Sequence, residues 1–136
     1  MENQTYNYTW ESFEKDAEEL CKKVAFSNYD LLVGISLGGL TLLNKIVSKT
    51  KISYIIVDRG IIIENDRVHG NRLLLIDDIV DSGEKLRKIK EELYEIGAFS
   101  VEIMTLFYKP QSIITPEWYV NEVENYQQVR FPWESK

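Results

Sequence analysis

Apolar positions along this chain recur with two periods. Trp10, Phe13, Ala17, Leu20 and Val24 fall at three- and four-residue intervals, which predicts an amphipathic helix from Trp10 to about Val24 capped by Thr9. Asp30–Ile35 is a short apolar run containing Gly34 and reads as a buried strand. After Gly38-Gly39, the spacing of Leu40, Leu42, Leu43, Ile46 and Val47 predicts a second helix, and the β-branched run Ile52–Val57 a second strand. From Asp58 to Asn71 the pattern breaks up into a flap, in which Ile61–Ile63 reads as one arm of a small hairpin. Leu73–Ile76 is a third buried strand. Leu86, Ile89, Leu93 and Ile96 mark one face of a helix over Glu84–Ile96 with Gly97 as its stop. Val101–Phe107 predicts a fourth core strand and Trp118–Val123 a fifth, before a polar tail with Phe131, Pro132 and Trp133 near its end.

Strands alternating with helices predict an α/β fold, with a mostly parallel sheet flanked by helices on both faces. No repeat or linker interrupts residues 1–136, so a single domain is expected, with a flap at about 58–71. In such sheets ligands sit outside the C-terminal ends of the strands. That rule singles out the loops after Ile35, Val57, Ile76 and Phe107.

Charge and composition narrow the function classes. The chain has 16 Lys+Arg against 22 Asp+Glu, and this acidic balance argues against nucleic acid as a partner. No apolar run approaches the roughly 18 residues of a membrane span, and Met1–Tyr8 is polar without an apolar signal core, so a cytoplasmic protein is expected. The single cysteine, Cys21, cannot form an internal disulfide or a multi-cysteine metal site, and reads as inert packing beside the first helix's apolar stripe.

The densest chemistry lies in Leu73-Leu74-Leu75-Ile76-Asp77-Asp78-Ile79-Val80-Asp81-Ser82-Gly83. A buried strand runs into two carboxylates, and a third opens a small-residue turn before a helix. The amides of Ser82, Gly83, Glu84 and Lys85 at that helix start form an anion cradle. Carboxylates beside a phosphate repel it, unless they hold Mg²⁺ or sugar hydroxyls. The plainer alternative makes Asp77 and Asp78 solvated strand-end residues and Asp81 a simple cap.

This string resembles the ribose-phosphate motif of type I phosphoribosyltransferases. Val33-Gly34-Ile35-Ser36-Leu37-Gly38-Gly39-Leu40 is similar to the family's pyrophosphate loop. Phe107-Tyr108-Lys109-Pro110 and Phe131-Pro132-Trp133-Glu134 resemble the xanthine–guanine and hypoxanthine branch, as does a first helix opening on Trp10 and Phe13. The resemblance spans nearly the full length. It implies Mg²⁺-dependent transfer of a phosphoribosyl group from phosphoribosyl pyrophosphate to a 6-oxopurine, releasing pyrophosphate, in purine salvage. It implies ribose and metal contacts at Asp77 and Asp78, and 5-phosphate contacts at Ser82, Gly83, Glu84 and Lys85. Pyrophosphate falls to the backbone of Ser36, Leu37, Gly38 and Gly39, where the glycines would permit close approach. Asp81 becomes the catalytic residue that relays the proton of the base. Base recognition falls to about 108–136, through Lys109, Gln128 and Val129, with the lysine donating to the 6-oxo group. Related enzymes are commonly homodimers, so a dimer is expected.

Three departures bear on substrate binding. Leu37 stands where the family carries arginine or lysine, Lys85 where it carries threonine, and Gln128 where the purine branch stacks an aromatic ring on the base. Tyr126 and Phe131 are the candidate substitutes for that ring. The flap is also short for a lid. Leu37 and Gln128 keep a second hypothesis open, a sensor of phosphoribosyl pyrophosphate or a nucleotide without turnover. A receiver-like Mg²⁺ switch fits less well, since its acidic pair should follow the first strand. Arg59 borders the expected site, with Asp58 as a second metal contact or as its ion-pair partner. Arg67 and His69 in the flap read first as exposed loop charges, with pyrophosphate contact as the alternative. The Glu/Lys-rich stretch Glu84–Glu95 reads as a wet helix face carrying i, i+4 pairs such as Glu84–Lys88.

Overall fold

The computed structural model describes residues 4–62 and 64–134; Ile63, the ends Met1–Asn3 and Ser135–Lys136, and what was expected of them, lie outside the described residues. Strand β1 (Gln4–Asn7) leads into helix α1 (Trp10–Ala25), where Ser12 N–H donates to Thr9 Oγ1 at 3.1 Å, the expected cap. Strand β2 (Leu31–Ile35), helix α2 (Ser36–Thr50) and strand β3 (Tyr54–Asp58) follow. Arg59 and Gly60 both take positive φ, 50° and 78°, as a two-residue turn to β4 (Ile61–Ile62) requires. A single 3₁₀ turn, Asn65–Arg67, precedes β5 (Arg72–Ile76). Then come β6 (Ile79–Val80), helix α3 (Glu84–Ile96), β7 (Ser100–Met104), β8 (Phe107–Tyr108), β9 (Asn121–Glu122) and β10 (Gln127–Arg130).

The main sheet runs β4-β3-β2-β5-β7, parallel except for β4. Successive residues of β5 feed opposite faces. Leu74 and Ile76 join the core under α1 and α2, whereas Leu73 and Leu75 join the core under α3. Gly34 on β2 faces α2, and a Cβ there would meet Leu43 Cδ2 at 2.7 Å, so the glycine sets how closely α2 approaches the sheet. From β2 the chain crosses through α2 to β3, and from β5 it crosses through α3 to β7 on the other side. The topology therefore switches between β2 and β5, and a crevice opens above their C-terminal ends.

Two expectations about strands are corrected. The fourth strand ends at Met104, because the N–H groups of Leu106 and Phe107 both donate to Asp78 O at 3.0 Å and pull the chain alongside β6. The expected fifth core strand, Trp118–Val123, is absent from the main sheet. Trp118 makes one bridge to Met104, and Asn121–Glu122 joins the small sheet β6-β8-β9. β1 pairs in parallel with β10 and had no apolar signal, since all four of its residues are exposed. The tail closes the core at this end. Trp133 stacks on Phe131 at 4.8 Å and meets Phe13 at 5.5 Å and Trp10 at 5.8 Å.

Candidate functional site

At the crevice, the β2–α2 turn and the β5–α3 segment lock together. Ser36 takes φ 61°, costly for a residue with a Cβ, and two hydrogen bonds hold it there. Its hydroxyl donates to Asp77 Oδ1 at 2.6 Å and accepts from Gly39 N–H at 3.2 Å. A Cβ on Gly38 would meet Asp78 Oδ2 at 2.2 Å, and one on Gly39 would meet Ile76 O at 2.6 Å. These glycines let the aspartate segment approach, lie buried in the first turn of α2, and the Gly39 amide donates to Ser36 Oγ. Leu37 is 63% exposed beside them.

Asp77 is 1% exposed and its acceptors are occupied. Oδ1 receives Ser36 Oγ and the Asp78 N–H at 2.8 Å, and Oδ2 lies 3.2 Å from Lys85 Nζ. Asp78 is half-buried at the mouth. Burial, and then the neighbouring Asp77 charge, push its carboxyl up to about 7. The chain next forms β6 and turns through Asp81, Ser82 and Gly83 into α3. Gly83 at φ 87° requires glycine, and a Cβ there would press Ile114 and Ile113 at 3.0 and 3.2 Å. The exposed α3 N-terminus borders a cavity of about 130 Å³ lined by Asp77, Asp78, Asp81, Ser82, Gly83 and Lys85. A larger one, about 580 Å³, lies between the ends of β2 and β3, with Ser36, Asp58, Arg59 and Lys85 in its wall. Arg59 pairs with Asp58 at 3.4 Å.

Lys109 is nearly buried on β8's end, and its Nζ sits 3.2 Å from Asp81 Oδ1 and donates to Asn125 O at 3.4 Å. That carbonyl, invisible to side-chain reasoning, ties the tail to the site. Tyr126 beside it is partly exposed, whereas Phe131 is 5% exposed and ringed by Tyr8, Phe107 and Trp133, so only Tyr126 retains a free ring. Gln128 is exposed on β10, and Val129 turns its side chain into the core.

Other expected residues lie elsewhere. Arg67 donates to Tyr54 O at the start of β3, and His69 packs against Gly97 at the C-terminal end of α3, both far along the sheet from the crevice. Arg67 is half-exposed and pairs with Glu64 at 3.2 Å, and His69 is exposed. Cys21 is buried against the α1–α2 core, and burial pushes its thiol up, as inert packing requires. Helix α3 shows an i, i+4 ion pair at Arg87–Glu91, 4.0 Å.

Four carboxylates, Asp58, Asp77, Asp78 and Asp81, line cavities whose cations are Arg59 and Lys85. A polyphosphate entering this acidic rim needs a further cation, and Asp78, half-buried beside the Asp77 carboxylate, is the group such a cation would relieve. The residues present therefore fit Mg²⁺ carried in with a phosphorylated ligand.

The family model described as phosphoribosyl transferase domain matches residues 6–136. The chain is 26% identical to the xanthine-guanine phosphoribosyltransferase of Chromohalobacter salexigens, over 97% of this chain and 85% of that protein. It is 27% identical to the transcriptional regulator GfcR of Methanococcoides burtonii over 59% of this chain and 45% of that one. Among solved structures, a purine phosphoribosyltransferase from Pyrococcus horikoshii superposes with TM-score 0.85 at 24% identity, covering 98% of this chain and 96% of that one.

Proposed function

The chain belongs to the phosphoribosyl transferase domain family and is an enzyme of that kind, and from that premise we propose that it transfers the phosphoribosyl group of phosphoribosyl pyrophosphate to a 6-oxopurine, releasing pyrophosphate. The observation that carries this reading is the meeting of an anion cradle with a paired acid and base. The α3 N-terminus stands next to Asp81, whose carboxylate lies 3.2 Å from Lys109 Nζ. One end of the cavity suits a 5-phosphate, the other a base with a carbonyl acceptor.

The amides of Ser82–Lys85 bind the 5-phosphate. Asp78 faces the ribose hydroxyls, and Asp77 holds Ser36 and Lys85 in place from beneath. Asp78 is the carboxylate that would hold Mg²⁺, whose charge would offset the negative charge that collects on the pyrophosphate. Lys109 donates to the 6-oxo oxygen, which an adenine amino group cannot replace as an acceptor. Asp81 takes the proton that the attacking ring nitrogen loses, and its pairing with Lys109 sets the carboxylate beside the base that the lysine holds. Pyrophosphate release with phosphoribosyl pyrophosphate, Mg²⁺ and each of xanthine, guanine, hypoxanthine, adenine and uracil tests the reading. Release confined to the 6-oxopurines is expected. Binding of phosphoribosyl pyrophosphate without release in any well would favour the sensor, the role of regulator that the Methanococcoides burtonii relative carries by name.

We also propose that the chain works as a cytoplasmic homodimer. α2 leaves Tyr54 and Ile56 of β3 uncovered, and a groove of about 210 Å³ there is lined by Leu40, Leu43, Val47, Tyr54 and Ile56. Leu37 on α2 and Ile61 on β4 are exposed as well. Sedimentation equilibrium should return twice the chain mass. Among the described residues no helix is long and apolar enough to cross a membrane.

A further inference from the structure

Lys85 stands between two anion sites. Its side chain is 60% exposed, yet its ammonium stays 3.2 Å from the buried Asp77 carboxylate. Among the described residues it alone lines both the cavity over the α3 N-terminus and the larger cavity between β2 and β3. That larger cavity opens on the β2–α2 turn, whose position 37 holds leucine and whose Gly39 amide is occupied by Ser36. Its other cation, Arg59, points into solvent at 89% exposure, with its Nε 3.4 Å from Asp58. The pyrophosphate side of the site is thus short of positive charge on α2, and Lys85 is the side chain able to supply it from α3.

We propose that Lys85 clamps the pyrophosphate of the substrate from across the crevice, replacing the cation that the β2–α2 turn lacks. The inference rests on the phosphoribosyltransferase reading above. Asp77 uses one of the three ammonium donors to hold the arm in place, leaving the others for phosphate oxygens. Because Asp77 also grips Ser36, arrival of pyrophosphate at the turn and at Lys85 is mechanically linked through one buried carboxylate.

Calorimetric titration of inorganic pyrophosphate with Mg²⁺ tests this, with ribose 5-phosphate as the second probe. Lys85→Thr, which restores the family's hydroxyl and removes the charge, should weaken pyrophosphate binding about 10- to 100-fold, the loss of one charge-assisted hydrogen bond. Lys85→Arg should stay within a few-fold of wild type, and Leu37→Arg added to Lys85→Thr should regain most of the loss. Ribose 5-phosphate, held by the α3 amides, should respond much less. Should Lys85→Thr melt below the assay temperature because Asp77 is stranded, Asp77→Asn with Lys85→Thr removes that charge and carries the same comparison. Unchanged pyrophosphate affinity in the threonine variant overturns the clamp, as does an equal loss for ribose 5-phosphate. A wild-type protein binding neither probe would overturn the phosphoribosyltransferase reading along with it.

Discussion

Two strand-to-helix junctions meet at the switch point, and they solve different problems. At Ile35–Gly39 the helix begins at once after the strand, and every small residue is consumed by packing. Gly38 clears Asp78, Gly39 clears Ile76, and Ser36 is bonded to Asp77. At Asp77–Gly83 seven residues separate β5 from α3, long enough to form β6 and to turn Asp81, Ser82 and the helix amides outward. The first junction is a socket, and the second lines a cavity with its acids and the start of α3. Glycines at a strand end thus mark a close approach, but the sequence does not say whether a ligand or another part of the chain is what approaches.

Substitutions in the two junctions should separate those roles. The largest effect is expected at Asp81. Asp81→Asn should cut turnover by about 10²- to 10⁴-fold while leaving phosphoribosyl pyrophosphate binding nearly intact, because the side chain is 68% exposed and its pair with Lys109 contributes little to folding. Steady-state kinetics beside calorimetric binding decide this, and equal loss of both would remove the proton-relay role. Lys109→Ala should lower use of 6-oxopurines by about 10- to 100-fold, the value of a charge-assisted hydrogen bond. An unchanged base preference in the release assay would sink that assignment.

In the socket the loss should be one of stability. Gly39→Ala forces a Cβ against the Ile76 carbonyl, and overpacking of this kind costs about 1–3 kcal/mol. Chemical denaturation should show it, and a midpoint equal to wild type would mean that the two junctions are not tightly coupled. The smallest effect concerns pH. Asp78 ionises near 3.8 in the unfolded chain and near 7 in the folded one. Between those values the folded state keeps a proton that the unfolded state has released, so stability should fall as pH rises from about 4 to 7 and level off above. Asp78→Asn should flatten the profile of melting temperature against pH. A slope that survives the substitution would assign it to another group.

Much of the site was legible because it is contiguous. Asp77 to Lys85 fall within one run whose strand and helix each carry their own periodicity, and α3 begins at Glu84 and stops at Gly97 as the pattern predicts. The first-helix cap at Thr9 was equally local. What was not legible depends on partners distant in the chain. Asp77 and Ser36 lie 41 positions apart, and Lys109 finds Asn125 through a backbone carbonyl that no residue type announces. Val101–Phe107 reads as one apolar strand, yet the Asp78 carbonyl splits it after Met104. The flap residues Arg67 and His69 were within reach of the crevice on paper, but the hairpin turn at Arg59-Gly60 sends the chain back along the sheet, where Gly70 N–H donates to Gly97 O at 2.8 Å.

The sequence by itself determined the alternation of helices and strands, the parallel sheet, the family, and the stretch that bears the acids, because periodicity and local spacing are properties of neighbours along the chain. Tertiary structure alone decided that Asp77 is a buried hub while Asp78 faces the opening, that Gly38 and Gly39 make room for the aspartate segment, and that Lys85 lines both cavities of the crevice. Burial and ion pairing are set by what lies across the crevice, and β2 and β5 become neighbours only when the sheet forms.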